Sequence, residues 1–418
     1  MFSALVNAWK VPELRKKIIF TLLMFVVFRL GCHIPVPGVN SELISNMFSS
    51  QFFGWIDIIS GGSFKNLTVF AMGIIPYINA SIIIQLLTMV IPYFEKLAKE
   101  GQEGRKKMSQ YTRYGAIGLG FAQAVIMSIY LKSAMINPGI GSIIVCTITL
   151  TAGTALLMWI GELITDKGIG NGISLIIFAG IVSKLPRGIS TIYSYTSTGS
   201  VSFITVVIFA ICAILLIAGV VAVQEGQRRI PVQYAKRVIG RKVYGGQSTH
   251  IPMRINQAGV IPIIFAMAIL MFPQMIAGFF AKNSSFAAWL NTVFNFQHPV
   301  YIVCYALLIF FFAYFYTAAT FNTVDVADNM KKNGGFIPGL RPGRPTAEYL
   351  DKILSRLTFS GATFLTFIAL VPSIFMGITG MNLYFGGTSL LIAVGVALDT
   401  MKQIESHLLM RHYQGFMK

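Results

Sequence analysis

Long runs of apolar residues recur along the whole chain and alternate with shorter polar or charged segments. A helix needs about 20 apolar residues to cross the hydrocarbon core of a bilayer. Ten runs reach or approach this length, and the fifth of them is short but extendable to residue 193. The runs are 18–36, 69–91, 114–132, 143–161, 169–183, 203–223, 257–277, 300–320, 357–376 and 384–401. This pattern predicts an all-α membrane protein with ten transmembrane helices.

A short pattern of glycine and proline occurs twice, once in each half of the chain. Gly73-Ile74-Ile75-Pro76 lies early in the second span, and Gly259-Val260-Ile261-Pro262 lies early in the seventh. Because the two spans are five apart and five is odd, the second half enters the membrane from the opposite face. Matching interruptions of this kind are typical of an inverted repeat with the functional site between its halves. We therefore expect pseudo-symmetric halves over 18–193 and 194–402, with chance similarity of the two motifs as the alternative.

The connection between spans one and two, residues 37–68, is longer than any other connection on its side of the membrane. It contains an apolar stretch that is too short to cross the bilayer and that ends at the glycine pair Gly61-Gly62. The large apolar residues of this stretch are Phe52, Phe53, Trp55, Ile56, Ile58 and Ile59. Unwound backbone at membrane depth is tolerated only where it is buried in protein or lines a cavity. The stretch therefore predicts a re-entrant helix that folds into the middle of the protein, or alternatively an interfacial helix that lies flat outside.

The composition excludes a water-soluble domain. Apolar residues make up 55% of the chain and charged residues 11%, whereas an average soluble domain carries roughly 25% charged residues. The four cysteines lie far apart without a CxxC pair, which argues against a disulfide framework or a zinc site. No phosphate-binding loop, HExxH or GxSxG motif occurs, and the glycine-rich stretch 168–172 lacks the third glycine of GxGxxG. We expect no enzymatic activity and no bound metal or cofactor.

The positive charges are distributed unequally between the two sides of the predicted spans. Of the 33 lysines and arginines, 27 lie on the side that also holds both termini. Because the short loops on the cytoplasmic side carry the excess of lysine and arginine, both termini and the long basic loops are predicted to be cytoplasmic. Before the first span, apolar residues at helical spacing predict an amphipathic segment over 1–17 on the inner membrane surface, or else a frayed terminus. Residues 403–418 are expected to form a cytoplasmic tail.

Polar but uncharged residues interrupt spans two and seven. The predicted spans carry almost no charge, since Arg29 and Asp399 lie near span ends, and no midplane carboxylates resemble a proton relay. The polar positions are Asn79, Gln85 and Thr88 in span two, and Asn256 and Gln257 at the start of span seven. They predict either hydrogen bonds between neighbouring helices or a polar seam between two helices that must separate.

Two inner loops, 224–254 and 321–356, are too long and too basic to be simple connectors. Arg341 lies in the second loop, within a turn rich in glycine and proline that predicts a rigid, exposed tip with a forked hydrogen-bond donor. Other basic residues of the two loops are Lys236, Arg241, Lys242 and Arg344. Attraction to anionic lipid headgroups accounts for part of this charge. The loop length and the stiff turn favour docking of an acidic or phosphate-rich partner.

Seven motifs taken together resemble those of the bacterial SecY family, whose members are channel subunits of the Sec protein translocase. The motifs are Gly73-Ile74-Ile75-Pro76-Tyr77-Ile78, Gln110-Tyr111-Thr112-Arg113-Tyr114, Gly168-Ile169-Gly170-Asn171-Gly172-Ile173-Ser174, Glu225-Gly226-Gln227-Arg228-Arg229-Ile230-Pro231, Tyr234-Ala235-Lys236-Arg237, Gln247-Ser248-Thr249-His250-Ile251-Pro252 and Tyr384-Phe385-Gly386-Gly387-Thr388-Ser389. The resemblance covers essentially the whole chain, and the combination of motifs is highly specific.

The resemblance implies a channel of two five-helix halves that passes unfolded secretory polypeptides across the membrane and releases transmembrane segments sideways into lipid. A central ring of apolar side chains, which dewets and yet deforms around a passing polypeptide, is implied at Ile74, Ile78, Ile177, Ile264 and Ile392. The re-entrant helix, about 55–65, is implied to be the plug, with Trp55, Ile56, Ile58, Ile59, Gly61 and Gly62. Spans two and three against seven and eight are implied to form a lateral gate, with Asn79, Gln85, Thr88 and Asn256 on or near its seam.

The resemblance also implies partners and a location. The inner loops are expected to dock the SecA motor ATPase or a translating ribosome, through ribosomal RNA and proteins. The docking residues are Arg341 first, then Lys236, Arg241, Lys242 and Arg344. SecE is expected to clamp the halves and SecG to be peripheral, while the substrates are secretory preproteins with signal sequences. The expected location is the bacterial cytoplasmic membrane, in contact with anionic lipids.

Two other functions are alternatives to the channel. A secondary transporter of a small solute also combines inverted repeats with broken helices, but it should have charged or ion-coordinating groups at the midplane, where this chain has isoleucines. A lipid-surface scaffold explains the basic loops and leaves the interrupted spans unexplained. The channel is the favoured prediction. Since the chain has no hydrolytic motif, the energy for transport must come from a partner or a gradient.

Overall fold

The computed structural model is largely helical. It describes residues 2–39, 57, 60–199, 202–234, 237–239, 242–244, 248–277, 285–294, 298–379 and 387–415. The helices are α1 (Phe2–Lys10), α2 (Pro12–Gly31), α3 (Ile75–Val90), α4 (Pro92–Lys99), α5 (Gln102–Tyr130), α6 (Ile140–Lys167), α7 (Gly172–Val182), α8 (Leu185–Ser197), α9 (Phe203–Glu225), α10 (Ile261–Ala277), α11 (Ser285–Val293), α12 (Pro299–Thr320), α13 (Thr323–Lys332), α14 (Arg344–Thr379) and α15 (Gly387–Gly415). The strands are β1 (Gln227–Tyr234), β2 (Arg237–Ile239), β3 (Lys242–Tyr244), β4 (Ser248–Arg254) and β5 (Gly335–Phe336).

Each of the ten predicted spans overlaps a described helix or two consecutive helices. In the described part of the chain, five helical stretches are by themselves long and apolar enough to cross a membrane. Helices α3 and α4 meet at a sharp bend, and they make a sixth span if they are counted together. The five are Ile140–Lys167, Gly172–Ser197, Phe203–Glu225, Pro299–Lys332 and Arg344–Val371. A helical multi-pass membrane protein is thereby confirmed, while the number of ten crossings stays a prediction.

The chain divides into two compact units. One comprises Met1–Ala210 with Gly380–Lys418, and the other comprises Ile211–Thr379. The last helix, α15, belongs to the first unit, where it packs against α7 and α1. The tenth predicted span thus packs with helices of the first unit, and the predicted division at residue 193 stays a prediction. The inverted relationship of the two halves stays a prediction.

In the first unit, the irregular segment 60–74 packs against α5 and α6. It crosses α6 at Gly153, where a Cβ atom would lie 1.9 Å from the carbonyl oxygen of Val69, so that only glycine permits the approach. The N–H of Val69 donates to the carbonyl oxygen of Ile34 at 2.9 Å, which ties the segment to the end of α2. The buried apolar residues around it are Val36, Phe64, Leu67, Ala71, Met72, Ala124, Leu131, Ala134, Met135, Cys146 and Leu150.

In the second unit, residues 227–254, predicted as part of a loop, contain an antiparallel pair of strands. In β1 and β4, Gln227 lies opposite Arg254 and Gln233 opposite Ser248, and β5 pairs with the end of β1. Buried and exposed residues alternate along β1, as in a strand with one buried face. The buried residues that join this sheet to α13 and α14 are Ile230, Val232, Met253, Met330, Ile337, Leu350, Ile353 and Leu354. The two basic loops thus form one packed scaffold.

Candidate functional site

Helices α3 and α10, which contain the two glycine–proline motifs, begin with the same local geometry. Gly73 and Gly259 have left-handed φ values of 59° and 63°, a conformation that glycine adopts without the penalty of a Cβ atom. The helices start two residues later, at Ile75 and Ile261. Proline is the second residue of each helix, where the missing N–H removes no hydrogen bond from the helix.

The matched helix starts give Ile78 and Ile264 equivalent positions. The N–H of Ile78 donates to the carbonyl oxygen of Ile74 at 3.0 Å, and the N–H of Ile264 donates to that of Val260 at 3.3 Å. Both isoleucines are half-buried in the first turns of their helices. The two motifs therefore have one local structure, which supports the predicted repeat.

The other three predicted ring residues are more deeply buried. Ile74, Ile177 and Ile392 are 4%, 5% and 2% exposed. Helix α7, which carries Ile177, packs against α15, which carries Ile392, within the first unit. Ile264 belongs to the second unit. The structure thus brings together the helices of two ring members, and the complete ring stays a prediction.

The polar residues predicted for the gate have different surroundings. On α3, Thr88 donates its hydroxyl hydrogen to the carbonyl oxygen of Gln85 at 2.6 Å. The Oε1 atom of Gln85 is buried, and it has no hydrogen-bond partner among the described residues. Asn79 is half-buried on the same helix. An unpaired buried amide oxygen is costly, so Gln85 is suited to a partner from outside its own helix.

Asn256 has a local structural function in the turn before α10. Its side chain is 8% exposed, and its Nδ2 atom donates to the carbonyl oxygen of Gly259 at 3.0 Å. Gly361 of α14 lies against the same turn, since a Cβ atom there would lie 2.7 Å from the carbonyl oxygen of Ile255. Asn256 thereby holds the turn from which α10 starts, and its place at a gate stays a prediction.

The predicted plug is described only at residue 57 and from residue 60 onward. Trp55, Ile56, Ile58 and Ile59 lie outside the described residues. Gly61 and Gly62 have left-handed φ values of 68° and 94°, which fits the predicted glycine turn. A Cβ atom on Gly61 would lie 3.2 Å from the Cα atom of Gly180 on α7, so the turn packs closely on that helix.

A buried ion pair, which the sequence did not reveal, lies beside this turn. The carboxylate of Asp57 pairs with the ammonium group of Lys184, and their side chains are 12% and 15% exposed. Lys184 lies between α7 and α8, within the stretch Gly172–Ser197 that is apolar enough to be one span. The signal available in the sequence was a single carboxylate, Asp57, within an otherwise apolar stretch.

Arg341 lies in a stiff turn, as predicted. Gly339 and Gly343 on either side have left-handed φ values of 83° and 105°. The hydroxyl group of Thr346, which is fully buried, donates to the carbonyl oxygen of Arg341 at 2.9 Å. The side chain of Arg341 is exposed. The backbone of this tip is therefore fixed on the start of α14, while the guanidinium group faces solvent.

Of the other four predicted docking residues, the structure describes two. Lys236 and Arg241 lie outside the described residues, and Lys242 is part of β3. Arg344 is exposed and donates to Glu348 at 3.1 Å, one turn further along α14. An exposed pair of this kind contributes little to stability. Arg344 is therefore accessible to a partner.

Two of the recognised motifs have structural functions in the first unit. Arg113 of α5 donates to both carboxylate oxygens of Glu162 on α6, at 3.1 and 2.6 Å. Asn171 caps α7, since its Oδ1 atom accepts from the N–H groups of Ile173 and Ser174 at 3.1 and 3.2 Å. The described part of the chain contains no cluster of His, Cys, Asp or Glu that could hold a metal ion.

Comparison with known sequences identifies relatives over the full length of the chain. A family model described as SecY matches residues 68–401. Protein translocase subunit SecY of Halalkalibacterium halodurans is 48% identical over 430 residues, which covers 100% of both chains. Protein translocase subunit SecY of Streptomyces galbus is 47% identical over 442 residues, again with 100% of both chains covered.

Comparison with solved structures identifies the same fold at low sequence identity. A structure of a protein-conducting channel has a TM-score of 0.68 at 19% identity, with 96% of each chain covered. A SecY structure described for a plug domain that stabilises the closed state of the translocation channel has a TM-score of 0.66 at 19% identity, with 96% of each chain covered. Sec61 in a canine ribosome-channel complex from the endoplasmic reticulum has a TM-score of 0.65 at 18% identity, with the same coverage.

Proposed function

Because this chain belongs to the SecY family, we propose that it is the protein-conducting channel subunit of a protein translocase. It passes unfolded secretory polypeptides across the cytoplasmic membrane and releases transmembrane segments sideways into lipid. The observation that carries this proposal is the similarity to protein translocase SecY subunits over 100% of the chain. These relationships do not support a secondary transporter of a small solute. We infer that it acts as a channel subunit rather than as an enzyme, so that a partner supplies the energy.

The pore constriction of this channel consists of Ile74, Ile78, Ile177, Ile264 and Ile392. Apolar constrictions block ions by dewetting, and branched aliphatic side chains can part around a polypeptide without leaving charges unpaired. The equivalent positions of Ile78 and Ile264 at the two helix starts support this proposal. Residues 55–65 form the plug next to this ring, and the close packing of Gly61 on α7 supports its seat in the first unit.

The lateral gate lies where spans two and three meet spans seven and eight. Asn79, Gln85 and Thr88 contribute from α3, and Asn256 contributes at the start of α10. The unpaired buried Oε1 atom of Gln85 supports this proposal, since a helix that must separate from its neighbour benefits from polar contacts that water can replace.

Replacing Asn256 by leucine should change the tolerance of the channel for weak signal sequences by about fivefold, because one buried hydrogen bond is worth roughly 1 kcal/mol. The change removes the donor to the carbonyl oxygen of Gly259 and loosens the turn before α10. The measurement is export of a reporter with a weakened signal sequence, relative to the same reporter with an intact one. Gln257→Leu, at the next residue, is the control. If both variants tolerate weak signal sequences equally, Asn256 stabilises the turn before α10 and has no function in the gate.

The sheet and helices that carry Arg341 form the docking surface for the SecA motor ATPase or the ribosome. Lys236, Arg241, Lys242 and Arg344 are further basic residues of the same two loops. The fixed backbone and exposed guanidinium group of Arg341 support this proposal. SecE clamps the channel, SecG binds at its periphery, and anionic lipids surround it. The channel lies in the bacterial cytoplasmic membrane with both termini inside.

Reconstitution of the full translocase complex in liposomes tests the proposed function. A preprotein with a signal sequence should become protected from added protease only when the motor ATPase and ATP are present. The same preprotein without its signal sequence should stay accessible to protease. Failure to protect the preprotein with a motor of demonstrated ATPase activity, or uptake of a small solute instead, would contradict the proposal.

A further inference from the structure

Asp57 has a set of contacts that position its carboxylate within the protein. The residue is 8% exposed, and its Oδ1 atom accepts from the N–H of Lys65 at 2.9 Å. Its Oδ2 atom pairs with Lys184. Its main-chain carbonyl oxygen accepts from the N–H of Gly62 at 2.8 Å. One acidic residue thus closes the turn at the carboxyl end of the plug and also binds this turn to the junction of α7 and α8.

Two further contacts hold the same turn. The Nη1 atom of Arg29, in the last turn of α2, donates to the carbonyl oxygen of Gly61 at 2.9 Å. Gly62 leaves room for the lysine, since a Cβ atom there would lie 3.0 Å from the Nζ atom of Lys184. The turn is therefore bound from two sides, by α2 and by the junction of α7 and α8, and all these residues belong to the first unit.

The position of Lys184 makes its pairing important. Its side chain is 15% exposed, so the ammonium group is largely removed from solvent. A buried charge is unfavourable unless it is paired. Removal of one member of a buried ion pair leaves the other charge uncompensated, which is strongly destabilising. Displacement of the turn that contains Asp57 has the same consequence, because it separates the two charges.

We propose that the ion pair between Asp57 and Lys184 is a latch that holds the plug in its seat and sets the signal-sequence strength needed to open the channel. Arg29 assists by binding the carbonyl oxygen of Gly61. This inference rests on the proposed channel function. Its residues act by positioning the plug and not by contact with the substrate. Weak signal sequences fail in the intact channel because they do not supply enough binding energy to separate the pair.

The test compares export of one preprotein with a weak and with a strong signal sequence, in liposomes that contain the full translocase complex. Lys184→Met should raise the ratio of weak-signal to strong-signal export at least about tenfold, because the latch is lost. Asp57→Asn should act in the same direction. This second variant serves if the Lys184→Met channel does not accumulate in the membrane. Asparagine keeps the turn hydrogen bond, because its amide oxygen can still accept from the N–H of Lys65. The double exchange Asp57→Lys with Lys184→Asp should return the ratio to within about threefold of the original, because it restores the pair.

Arg187→Met is the matched control, since Arg187 is an exposed basic residue at the start of α8. It should leave the ratio unchanged. An unchanged export ratio in both Lys184→Met and Asp57→Asn overturns the latch. The latch is also overturned if the double exchange has an export ratio no closer to that of the original channel than the ratios of the single exchanges. If the unaltered complex exports neither preprotein, the channel function itself is wrong, so the two failures are distinguishable.

Discussion

Replacing Arg341 by glutamate is expected to lower motor-driven export about a hundredfold while the channel still folds and inserts. The side chain is exposed, and the turn is held by backbone groups and by Thr346. The exchange therefore removes no hydrogen bond or ion pair between the guanidinium group and the described residues. Truncation of one member of a charge pair across an interface costs roughly 2–5 kcal/mol, and about 3 kcal/mol corresponds to a hundredfold change in affinity. The measurement is ATP-dependent protection of a preprotein in vesicles, together with the amount of channel protein in the membrane.

Lys352→Glu is the matched control for this prediction. Lys352 is an exposed residue of α14, and its replacement reverses the same charge on the same scaffold at a distance along the chain from the tip. Because dispersed surface charge acts mainly through a screened field, this variant should lose less than about threefold. Normal export in the Arg341→Glu variant would remove the docking proposal. An equal loss of export in both variants would indicate that docking requires positive charge in general rather than a specific contact of Arg341.

The helix starts of α3 and α10 were predictable because their signal is local. A glycine that must adopt a positive φ and a proline in the first helical turn are encoded within four residues. Both features occur in the structure at Gly73 and Gly259. The approximate positions of the spans were predictable for a similar reason, since a long apolar run has few alternatives to a membrane helix. The stiff turn at Arg341 also followed from nearby glycines and prolines.

Strand β5 and the ion pair were not predicted because they depend on distant parts of the chain. Strand β1 was missed for another reason. Ile230 and Val232 lie at alternate positions, but the strong positive charge of this region favoured its interpretation as a docking loop. The partner strand β5 follows about a hundred residues later, at Gly335–Phe336. Asp57 and Lys184 are separated by 127 positions, and neither belongs to a motif. Pairing over such distances is determined by the packing of helices, which a local pattern does not contain.

Serine at both Ile78 and Ile264 is expected to raise the resting ion conductance of the closed channel at least about tenfold. An apolar constriction excludes ions because water leaves it, and hydroxyl groups stabilise water there instead. The two residues occupy equivalent positions at the two helix starts, so the double exchange places one polar group on each half of the ring. The measurement is the conductance of planar bilayers that contain the full translocase complex without substrate or motor.

Ile83 and Ile269 provide a matched control on the same two helices. Each lies five residues beyond its ring residue, about 140° further around the helix, and they are 44% and 40% exposed. Serine at both of these positions should leave the resting conductance unchanged, because they do not lie on the helix face that carries the ring residue. A conductance that rises equally in both double variants would indicate a general loosening of the helices. A conductance that rises in neither would contradict an apolar constriction, since the ring must be wetted once two of its members can bind water.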